Sequence, residues 1–478
     1  MRRILAGTGV AVLLVAGYGA FDVYDVVPGI LTRDVPAPAP TVTPSAGATT
    51  PAVVLPTVDE AAVPLEAASA GAPIPAATSL AQVIGRAAKD PALGASPGVV
   101  VRDAFTGQNL FRQNADTARR PASTVKLLTA LAVSTTLDPT ATLPTTVVQG
   151  SSPSQLVLVA GGDSMLAKGA GNPAAVEGRA GLGDLAQQVA TALAPSGTTN
   201  VTLRLDTTYA AGPRYAPTWV KADIDQGFTG GVSMLGLAGQ RAVPYHPAPR
   251  NPEAATAAAF VAALAKVGIT ATLAPASTWD TRTPAGATEL GRVESAPIGD
   301  VLALALAESD NALTDGLARQ AAVKKGGGTS FAAAVSFVLK QAQANGIDTT
   351  GVVLKDTSGL SAGQKVPPRV ISDALQRGAD GSVPGMQDVV AQLPVAGLSG
   401  TLADRFNTKG THVVAGNARA KTGTLTGISS IAGTVVDADG RVLSYVVLAD
   451  GVPAGVGTLN ARAALDRFVA TLATCGCR

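Results

Sequence analysis

One short segment constrains the fold of this chain more than any other: the sequence PASTVK at residues 121–126, followed by the apolar run 127–133. The run is rich in Leu and Ala and is long enough for a buried helix. Pro121 is tolerated at or just before the first turn of a helix, which places Ser123 near the helix N-terminus. Lys126 follows three residues later, so both side chains leave the same face, one turn apart.

A hydroxyl and an amine at this position have a chemical meaning. A helix N-terminus offers free N–H groups and a positive dipole, which favour developing negative charge. Ser123 and Lys126 are therefore candidates for a nucleophile and the base that activates it. The same residues also fit a capping serine and a solvated lysine, and this segment alone does not decide between the two interpretations.

Composition limits the other chemistries. The chain has 478 residues, enough for two or three domains, and its formal net charge of +2 gives no electrostatic reason to expect nucleic acid as a partner. Its histidines are His246 and His412, neither in a G-x-S-x-G context, and its cysteines are Cys475 and Cys477. Catalysis by a metal on His and Cys ligands is nearly excluded, and we expect no cofactor and no metal. The state of the two cysteines, disulfide or thiol, stays open.

Residues 1–33 indicate a signal peptide or signal anchor, because Arg2 and Arg3 precede the apolar run 4–21. The run is also just long enough to span a bilayer, so cleavage of the signal stays open. Residues 34–79 are rich in Pro, Ala and Thr without a sustained apolar period, which predicts an extended, semi-rigid linker. We expect an extracytoplasmic protein that meets the membrane only through its N-terminal segment.

The remaining chain is predicted to form one catalytic body, residues 80–144 and 291–478, with an inserted domain at 145–290. Apolar periodicity and start and stop signals place the elements of both parts. Predicted helices are 79–88, 253–267, 298–323, 330–345, 368–377, 398–406 and 456–473. Predicted strands are 98–102, 108–112, 145–148, 155–160, 200–205, 417–421, 427–437 and 441–449.

Two further motifs lie in the predicted body. The sequence SDN at 309–311 interrupts the apolar helix 298–323, and small polar residues there are costly unless they face a cleft. A helix cap is the alternative interpretation. The sequence KTGT at 421–424 fits a strand on which Gly423 lets a peptide backbone approach closely. Its alternative is an exposed edge strand protected by Lys421.

The order S-x-x-K, S-D-N, K-T-G resembles the motif set of penicillin-binding proteins and serine β-lactamases. The stretches DTSGLS at 356–361 and LPVAG at 393–397 resemble those of D-alanyl-D-alanine carboxypeptidases. The gap between the first two motifs is long. In this the chain resembles the D-Ala-D-Ala carboxypeptidase/endopeptidase group of penicillin-binding proteins, which carries a domain inserted between these two motifs. The chain departs from this group at Thr357, where Gly is usual, and at Ser164, where Pro is usual.

The resemblance implies an α+β fold of the penicillin-binding/serine β-lactamase type, with an antiparallel sheet flanked by helices and an inserted, strand-rich domain. It implies a serine DD-peptidase that removes the terminal D-Ala of peptidoglycan stem peptides and is covalently inhibited by β-lactam antibiotics; cross-link cleavage stays open. We expect the insert to restrict which wall strands enter, without supplying catalytic groups. The alternatives are a β-lactamase, although no Glu-x-x-Leu-Asn stretch is found, and an idle wall-binding scaffold.

The same resemblance assigns roles to residues. Ser123 would attack the penultimate D-Ala, Lys126 would act as its base, and Ser309 would relay the proton to the leaving amine. The base needs a pKa about three units below the free value of about 10.4. The backbone N–H groups of Ser123 and Thr424 would form the oxyanion hole. No role is assigned to Asp310. The substrate-binding residues would be Asn311, Lys421, Thr422 and Thr424.

Overall fold

A computed structural model describes residues 70–477, and the predictions for residues 1–69 lie outside this part of the chain. Within it, no helix is long and apolar enough to cross a bilayer. The α-helices are α1 (Ala77–Ala87), α2 (Lys126–Ser134), α3 (Leu182–Leu193), α4 (Lys221–Asp225), α5 (Pro252–Lys266), α6 (Ile298–Ala307), α7 (Asn311–Lys324), α8 (Phe331–Ala344), α9 (Pro368–Ala379), α10 (Pro384–Ala391) and α11 (Gly457–Ala473). The strands are β1 (Gly98–Asp103), β2 (Asn109–Gln113), β3 (Pro144–Gln149), β4 (Gln155–Val159), β5 (Asn200–Asp206), β6 (Thr270–Leu273), β7 (Glu289–Glu294), β8 (Ala418–Leu425), β9 (Ile428–Val436) and β10 (Val442–Ala449).

The first sheet is antiparallel, with strand order β2-β1-β10-β9-β8. Its central strand β10 carries apolar side chains on both faces, which fits a strand whose two faces are both covered by helices. Val446 and Leu448 pack into one hydrophobic cluster with residues of α2, whereas Tyr445 and Val447 pack into another with residues of α1 and α11. This alternation follows the two-residue period of a strand. The strand β8, which carries the KTGT sequence, forms one edge of the sheet.

The second sheet lies in the insert and has the order β6-β5-β4-β3-β7. Strands β4, β5 and β6 are parallel, and β3 is antiparallel to both β4 and β7. Helices α3 and α5 cover it, with Leu185 and Phe260 fully buried in its core. Pro144 at the start of β3 pairs with Glu294 at the end of β7. The chain therefore enters and leaves this part through two adjacent strands, although domain boundaries at 145 and 290 stay a prediction.

The prediction of one continuous helix at 298–323 is wrong. Helices α6 and α7 are separated by a short break in which Ser309 has a left-handed backbone with φ of +60°. Asp310 ends the break as the N-cap of α7, where its Oδ1 accepts a hydrogen bond from the N–H of Leu313 at 2.9 Å. The capping carboxylate replaces the backbone bond that a continuous helix would have supplied. The helix cap that was the alternative interpretation of this motif is therefore confirmed at Asp310, the residue without an assigned role.

One other prediction is corrected. The predicted helix 398–406 is a single 3₁₀ turn, Gly400–Leu402, because Gly400 and Phe406 have φ values of +52° and +58° that an α-helix does not allow. The elements that were not predicted are α3, α4, α10, β6 and β7, although Pro384 at the first position of α10 is a usual start signal. Beyond the end of α11, Cys475 and Cys477 are paired across Gly476.

Candidate active site

Ser123 lies on a 3₁₀ turn, Ala122–Val125, that leads directly into α2. Ala122 has a left-handed backbone with φ of +48°, an uncommon conformation for a residue with a side chain. Gly359 lies against this turn, and a Cβ at Gly359 would fall 2.1 Å from the carbonyl oxygen of Ala122. Only glycine fits there, so the loop around Gly359 fixes the position of the Ser123 turn.

Lys126 is fully buried below Ser123 and has three hydrogen-bond partners. Its Nζ lies 3.1 Å from Ser123 Oγ, 2.6 Å from Asn311 Oδ1 and 2.7 Å from the carbonyl oxygen of Ser358. The Asn311 amide is oriented by its other end, because its Nδ2 donates to the carbonyl oxygen of Phe228 at 2.8 Å. Carbonyl oxygens only accept, so the Asn311 Oδ1 must face the lysine.

The three partners of Lys126 fix the direction of its lone pair when the amine is neutral. Of its three partners, the amide oxygen of Asn311 and the carbonyl oxygen of Ser358 can only accept, whereas the Ser123 hydroxyl can also donate. A neutral amine has two N–H groups and one lone pair, so the lone pair must point at Ser123. Burial lowers the pKa of Lys126 to about 8, although the charges of Asp315, Asp356 and Asp310 act in the opposite direction. The geometry and the pKa both suit a base for the serine.

Lys421 is the second buried amine of the site. Its side chain is fully buried, so the alternative of an exposed lysine on an edge strand is wrong. The Nζ donates to Ser309 Oγ at 2.9 Å and to the carbonyl oxygen of Thr422 at 2.7 Å. Burial lowers the pKa of Lys421 well below its usual value, and the positive charge of Lys126 lowers it further. Beside it, Thr422 Oγ1 donates to Thr401 Oγ1 at 2.9 Å.

These groups meet at one cleft with a volume of about 1070 Å³. Lys126 and Lys421 lie beneath its floor, bonded to Ser123 and Ser309 respectively. A Cβ at Gly423 would fall 2.9 Å from the Ser123 backbone nitrogen, so the glycine lets β8 approach the serine turn. The structure therefore brings every predicted site residue to this cleft. Those that line its surface are Ser123, Ser309, Asn311, Thr422 and Thr424.

The loop at 356–361 was recognised in the sequence without a role. Asp356, fully buried, accepts hydrogen bonds from the N–H groups of Gly359 at 2.8 Å and Ser361 at 2.7 Å. This holds the loop that offers the Ser358 carbonyl to the lysine. Thr357, the departure from the family pattern, donates its hydroxyl to Asp315 Oδ1 at 2.7 Å, a bond that glycine cannot make. The signal available in the sequence was an aspartate at the start of a turn-rich stretch, because Asp side chains often accept from backbone N–H groups two or three residues further on.

Residues of the insert also reach the site, which differs from the expectation of an insert that only borders the cleft. Besides the carbonyl of Phe228, the indole N–H of Trp219 donates to Asp356 Oδ2 at 2.7 Å. The hydroxyls of Thr218 and Ser361 lie 2.7 Å apart. None of these insert residues was selected from the sequence, because no motif marks them.

Comparisons with known proteins place these observations in a family. A family model described as the D-Ala-D-Ala carboxypeptidase 3 (S13) family matches residues 80–244 and 238–472. The chain is 36% identical over 440 residues to the carboxypeptidase DacB of Mycolicibacterium smegmatis, covering 91% of each chain. It is 35% identical over 426 residues to a carboxypeptidase of Mycobacterium tuberculosis, covering 88% of this chain and 89% of the relative.

Solved structures give the same answer for the fold. The crystal structure of penicillin binding protein 4 from Haemophilus influenzae matches with a TM-score of 0.64 and 21% identity, over 83% of this chain and 98% of that chain. A structure of the same protein complexed with a β-lactam matches with a TM-score of 0.59. The predicted α+β fold and the resemblance drawn from the three motifs are confirmed.

Proposed function

From the premise that this chain belongs to the D-Ala-D-Ala carboxypeptidase 3 (S13) family and is a serine DD-peptidase, we propose that Ser123 is its nucleophile. The observation that carries this is the contact between Ser123 Oγ and the buried amine of Lys126 at 3.1 Å. The neutral amine accepts the serine proton as Oγ attacks the carbonyl carbon of the penultimate D-Ala. The backbone N–H groups of Ser123 and Thr424 stabilise the oxyanion that forms.

Collapse of this intermediate breaks the peptide bond and needs a proton on the leaving amine. The Ser309 hydroxyl gives its proton to the nitrogen of the terminal D-Ala. Lys421, which donates to Ser309 Oγ, replaces that proton. The products of this half-reaction are free D-Ala and an acyl ester on Ser123. Water then hydrolyses the ester: its hydroxyl joins the acyl carbon, its remaining proton recharges Lys421, and Lys126 returns its proton to Ser123 Oγ as the ester bond breaks.

The other cleft residues bind the substrate in this proposal. The Asn311 amide contacts the peptide backbone of the stem peptide. Thr422 and Thr424 donate hydroxyls to the terminal carboxylate, and Lys421 supplies the charge. An arriving carboxylate favours the protonated form of Lys421, so substrate binding itself restores the charge that burial disfavours.

The substrate class is peptidoglycan stem peptides ending in D-Ala-D-Ala, and β-lactams are covalent inhibitors that acylate the same serine. The family description supports the first, and the β-lactam complex of the Haemophilus influenzae protein supports the second. The cleft of about 1070 Å³ exceeds what a D-Ala-D-Ala end requires, which supports cleavage of cross-linked peptides as a second activity.

The location is also part of the proposal. The basic start, the apolar run 4–21 and the linker 34–79 support export, with the enzyme held outside the cytoplasm by its N-terminal segment. Labelling of whole cells with an impermeant fluorescent penicillin, followed by separation of membranes from medium, tests this. The label is expected on the membrane fraction for an anchored chain and in the medium for a cleaved one; label only after lysis contradicts export.

Labelled penicillin tests the nucleophile directly. The adduct is expected on the peptide that contains Ser123, and Ser123→Ala should abolish it, whereas Ser154→Ala at an exposed insert serine should not. A mass shift on a peptide without Ser123 overturns the assignment.

A second assay separates the peptidase from its alternatives. The intact enzyme should release D-Ala from a D-Ala-D-Ala peptide and should hydrolyse its covalent penicillin adduct only slowly. Rapid penicillin hydrolysis without D-Ala release indicates a β-lactamase, and neither activity in a folded, wall-binding protein indicates a scaffold.

A further inference from the structure

The break between α6 and α7 contains a serine with a left-handed backbone. Ser309, which contacts Lys421, has φ of +60° although it carries a side chain. Two backbone bonds close this turn at the end of α6, from the Ser309 N–H to the carbonyl oxygen of Leu306 at 3.3 Å and from the Asp310 N–H to that of Ala305 at 3.0 Å. Glycine is the usual residue at such a position, so a serine there carries backbone strain that further contacts must offset. The neighbours of Ser309 in the chain are Glu308 and Asp310, and both have charged side chains available for this purpose.

One guanidinium holds both flanking residues. The Nη2 of Arg241 lies 2.6 Å from Glu308 Oε2 and 2.7 Å from Asp310 Oδ2, and its Nε lies 3.1 Å from the same Asp310 oxygen. Its Nη1 donates to Glu177. The planar guanidinium can make these bonds together because its donors form a rigid fork. Asp310 uses its other oxygen to cap α7, so Arg241 acts on a carboxylate that is already fixed.

Arg241 belongs to the insert, and its own backbone is fixed there. Its N–H bonds to the carbonyl oxygen of Ala238, and the Ala238 N–H bonds to that of Leu166 at 3.0 Å. The arginine side chain is only 11% exposed. Burial lowers the pKa of Arg241, but the Asp310 and Glu308 carboxylates outweigh that effect and raise it above its usual value. The group is therefore a permanent cation tied to the insert at one end and to both flanks of Ser309 at the other.

We propose that Arg241 is a positioning residue: it holds Ser309 in the left-handed conformation that directs the hydroxyl to Lys421, and so couples the insert to proton transfer. This inference rests on the proposed role of Ser309. It gives the insert a part in the reaction that is separate from any restriction of the substrate. Arg241 lines the wall of the cleft and is hydrogen-bonded to neither Ser123 nor Lys126. A comparison with and without the Ser309 hydroxyl therefore separates an effect that passes through Ser309 from a direct contact with substrate.

A double-mutant cycle tests this route. Arg241→Ala, Ser309→Ala and the double variant are compared in the full chain, with kcat and KM measured on a D-Ala-D-Ala stem peptide and acylation measured with fluorescent penicillin. Arg241→Ala is expected to lower kcat by about tenfold or more while KM changes by less than about threefold. In the Ser309→Ala background, the same substitution should change kcat by less than about twofold.

The controls separate positioning from folding. Arg250→Ala removes an exposed insert arginine that pairs with Asp225 and should leave kcat unchanged. Arg241→Lys keeps the charge but not the fork, and should recover part of the lost kcat. If Arg241→Ala does not fold, the Lys variant is measured in both backgrounds instead. The proposal is overturned if Arg241→Ala lowers kcat equally in the wild-type and Ser309→Ala backgrounds. It is also overturned if Arg241→Ala does not lower kcat at all. Failure of the wild type to acylate at Ser123 would instead refute the proposed function.

Discussion

Lys126 shows how a single residue can combine burial with chemistry. Its amine has no contact with bulk water, and its acceptor-only partners consume two donors. A charged form would be stabilised by three carboxylates nearby but disfavoured by the loss of hydration. The balance gives a pKa of about 8, so a substantial neutral fraction exists near neutral pH.

The pH profile of acylation follows from this pKa. Only the neutral amine accepts a proton, so the acylation rate constant should rise as the pH increases through about 8. Asp315→Asn removes the carboxylate that raises the pKa of Lys126 most, so the ascending limb should move to lower pH. The exposed Asp116→Asn serves as the control and should not move it. The measurement is stopped-flow acylation by a fluorescent penicillin from pH 5 to 10. If the ascending limb of the pH profile does not move for Asp315→Asn, the limb does not report the pKa of Lys126.

Substitution of the base tests its identity. Lys126→Arg keeps a cation and hydrogen-bond donors but cannot lose its proton near neutral pH, so acylation should fall by about 10²-fold or more. Lys126→Met keeps an apolar side chain about as long as the lysine stem but has no hydrogen-bond donors, and its acylation should fall by a similar factor. Circular dichroism and thermal unfolding confirm that each variant folds. Near-normal acylation by either variant would assign the base to another group, with Ser309 and Lys421 the next candidates.

At this scale, the sequence predicted the side chains that matter and missed the backbone groups. The order of three motifs selected the residues from Ser123 to Thr424, and the structure gathers them at one cleft. The groups that set the direction of the Lys126 lone pair include two main-chain carbonyls, those of Ser358 and Phe228. A carbonyl oxygen is the same in every residue type, so no sequence pattern marks it.

Among the elements, the loop 356–361 and the serine turn depend on each other. Gly359 and Gly363 both have positive φ, +94° and +78°, so an alanine at either position carries a similar backbone strain. Only at Gly359 would the new Cβ collide with Ala122, whereas nothing lies within 4 Å at Gly363. The two positions therefore form a matched pair.

Alanine at the two positions should separate strain from collision. Gly363→Ala should lower the free energy of unfolding by about 1 kcal/mol and leave acylation nearly unchanged. Gly359→Ala adds the displacement of the Ser123 turn and should lower acylation by about tenfold or more. Urea unfolding and penicillin acylation measure the two effects. Equal acylation by both variants would show that the turn does not depend on this contact.

Periodicity predicted most elements but not the break at 309–311. Strands such as β10 and helices such as α5 follow from apolar patterns that neighbouring layers then cover. The left-handed backbone of Ser309 closes the C-terminal end of α6, where the Asp310 N–H bonds to the carbonyl oxygen of Ala305 at 3.0 Å and the Ser309 N–H bonds to that of Leu306 at 3.3 Å. Glycine or asparagine is usual at such a position, so a serine gives no sequence signal for it. Arg241, which binds both neighbours of Ser309, is distant in sequence and becomes visible only once the chain has folded.

At the scale of the whole molecule, the insert is bonded to the catalytic body at several points. Its contributions to the site are the Phe228 carbonyl, the Trp219 indole and the Arg241 guanidinium. Removal would leave the Asn311 amide free to rotate and would expose buried Asp356. The inserted part therefore supports the catalytic geometry as well as bordering the cleft.

Replacement of residues 150–285 by a Gly/Ser linker is expected to abolish most acylation. The physical reason is that Lys126 and Ser309 both lose groups that orient them. Acylation by penicillin should fall by about 10²-fold or more, even though penicillin is too small to need a wall-binding surface. Circular dichroism and thermal unfolding must first show that the catalytic body still folds. Near wild-type acylation in a folded replacement would mean that the insert acts on polymeric substrates alone.

The paired strands β3 and β7 have a mechanical consequence. A part attached by one flexible tether can swing without disturbing its host, but two hydrogen-bonded strands resist bending and twisting together. Only residues 295–297 separate the end of β7 from α6, and α6 ends directly before Glu308. A force applied to the insert would therefore pass through this short connection into α6 and reach Ser309 at its far end.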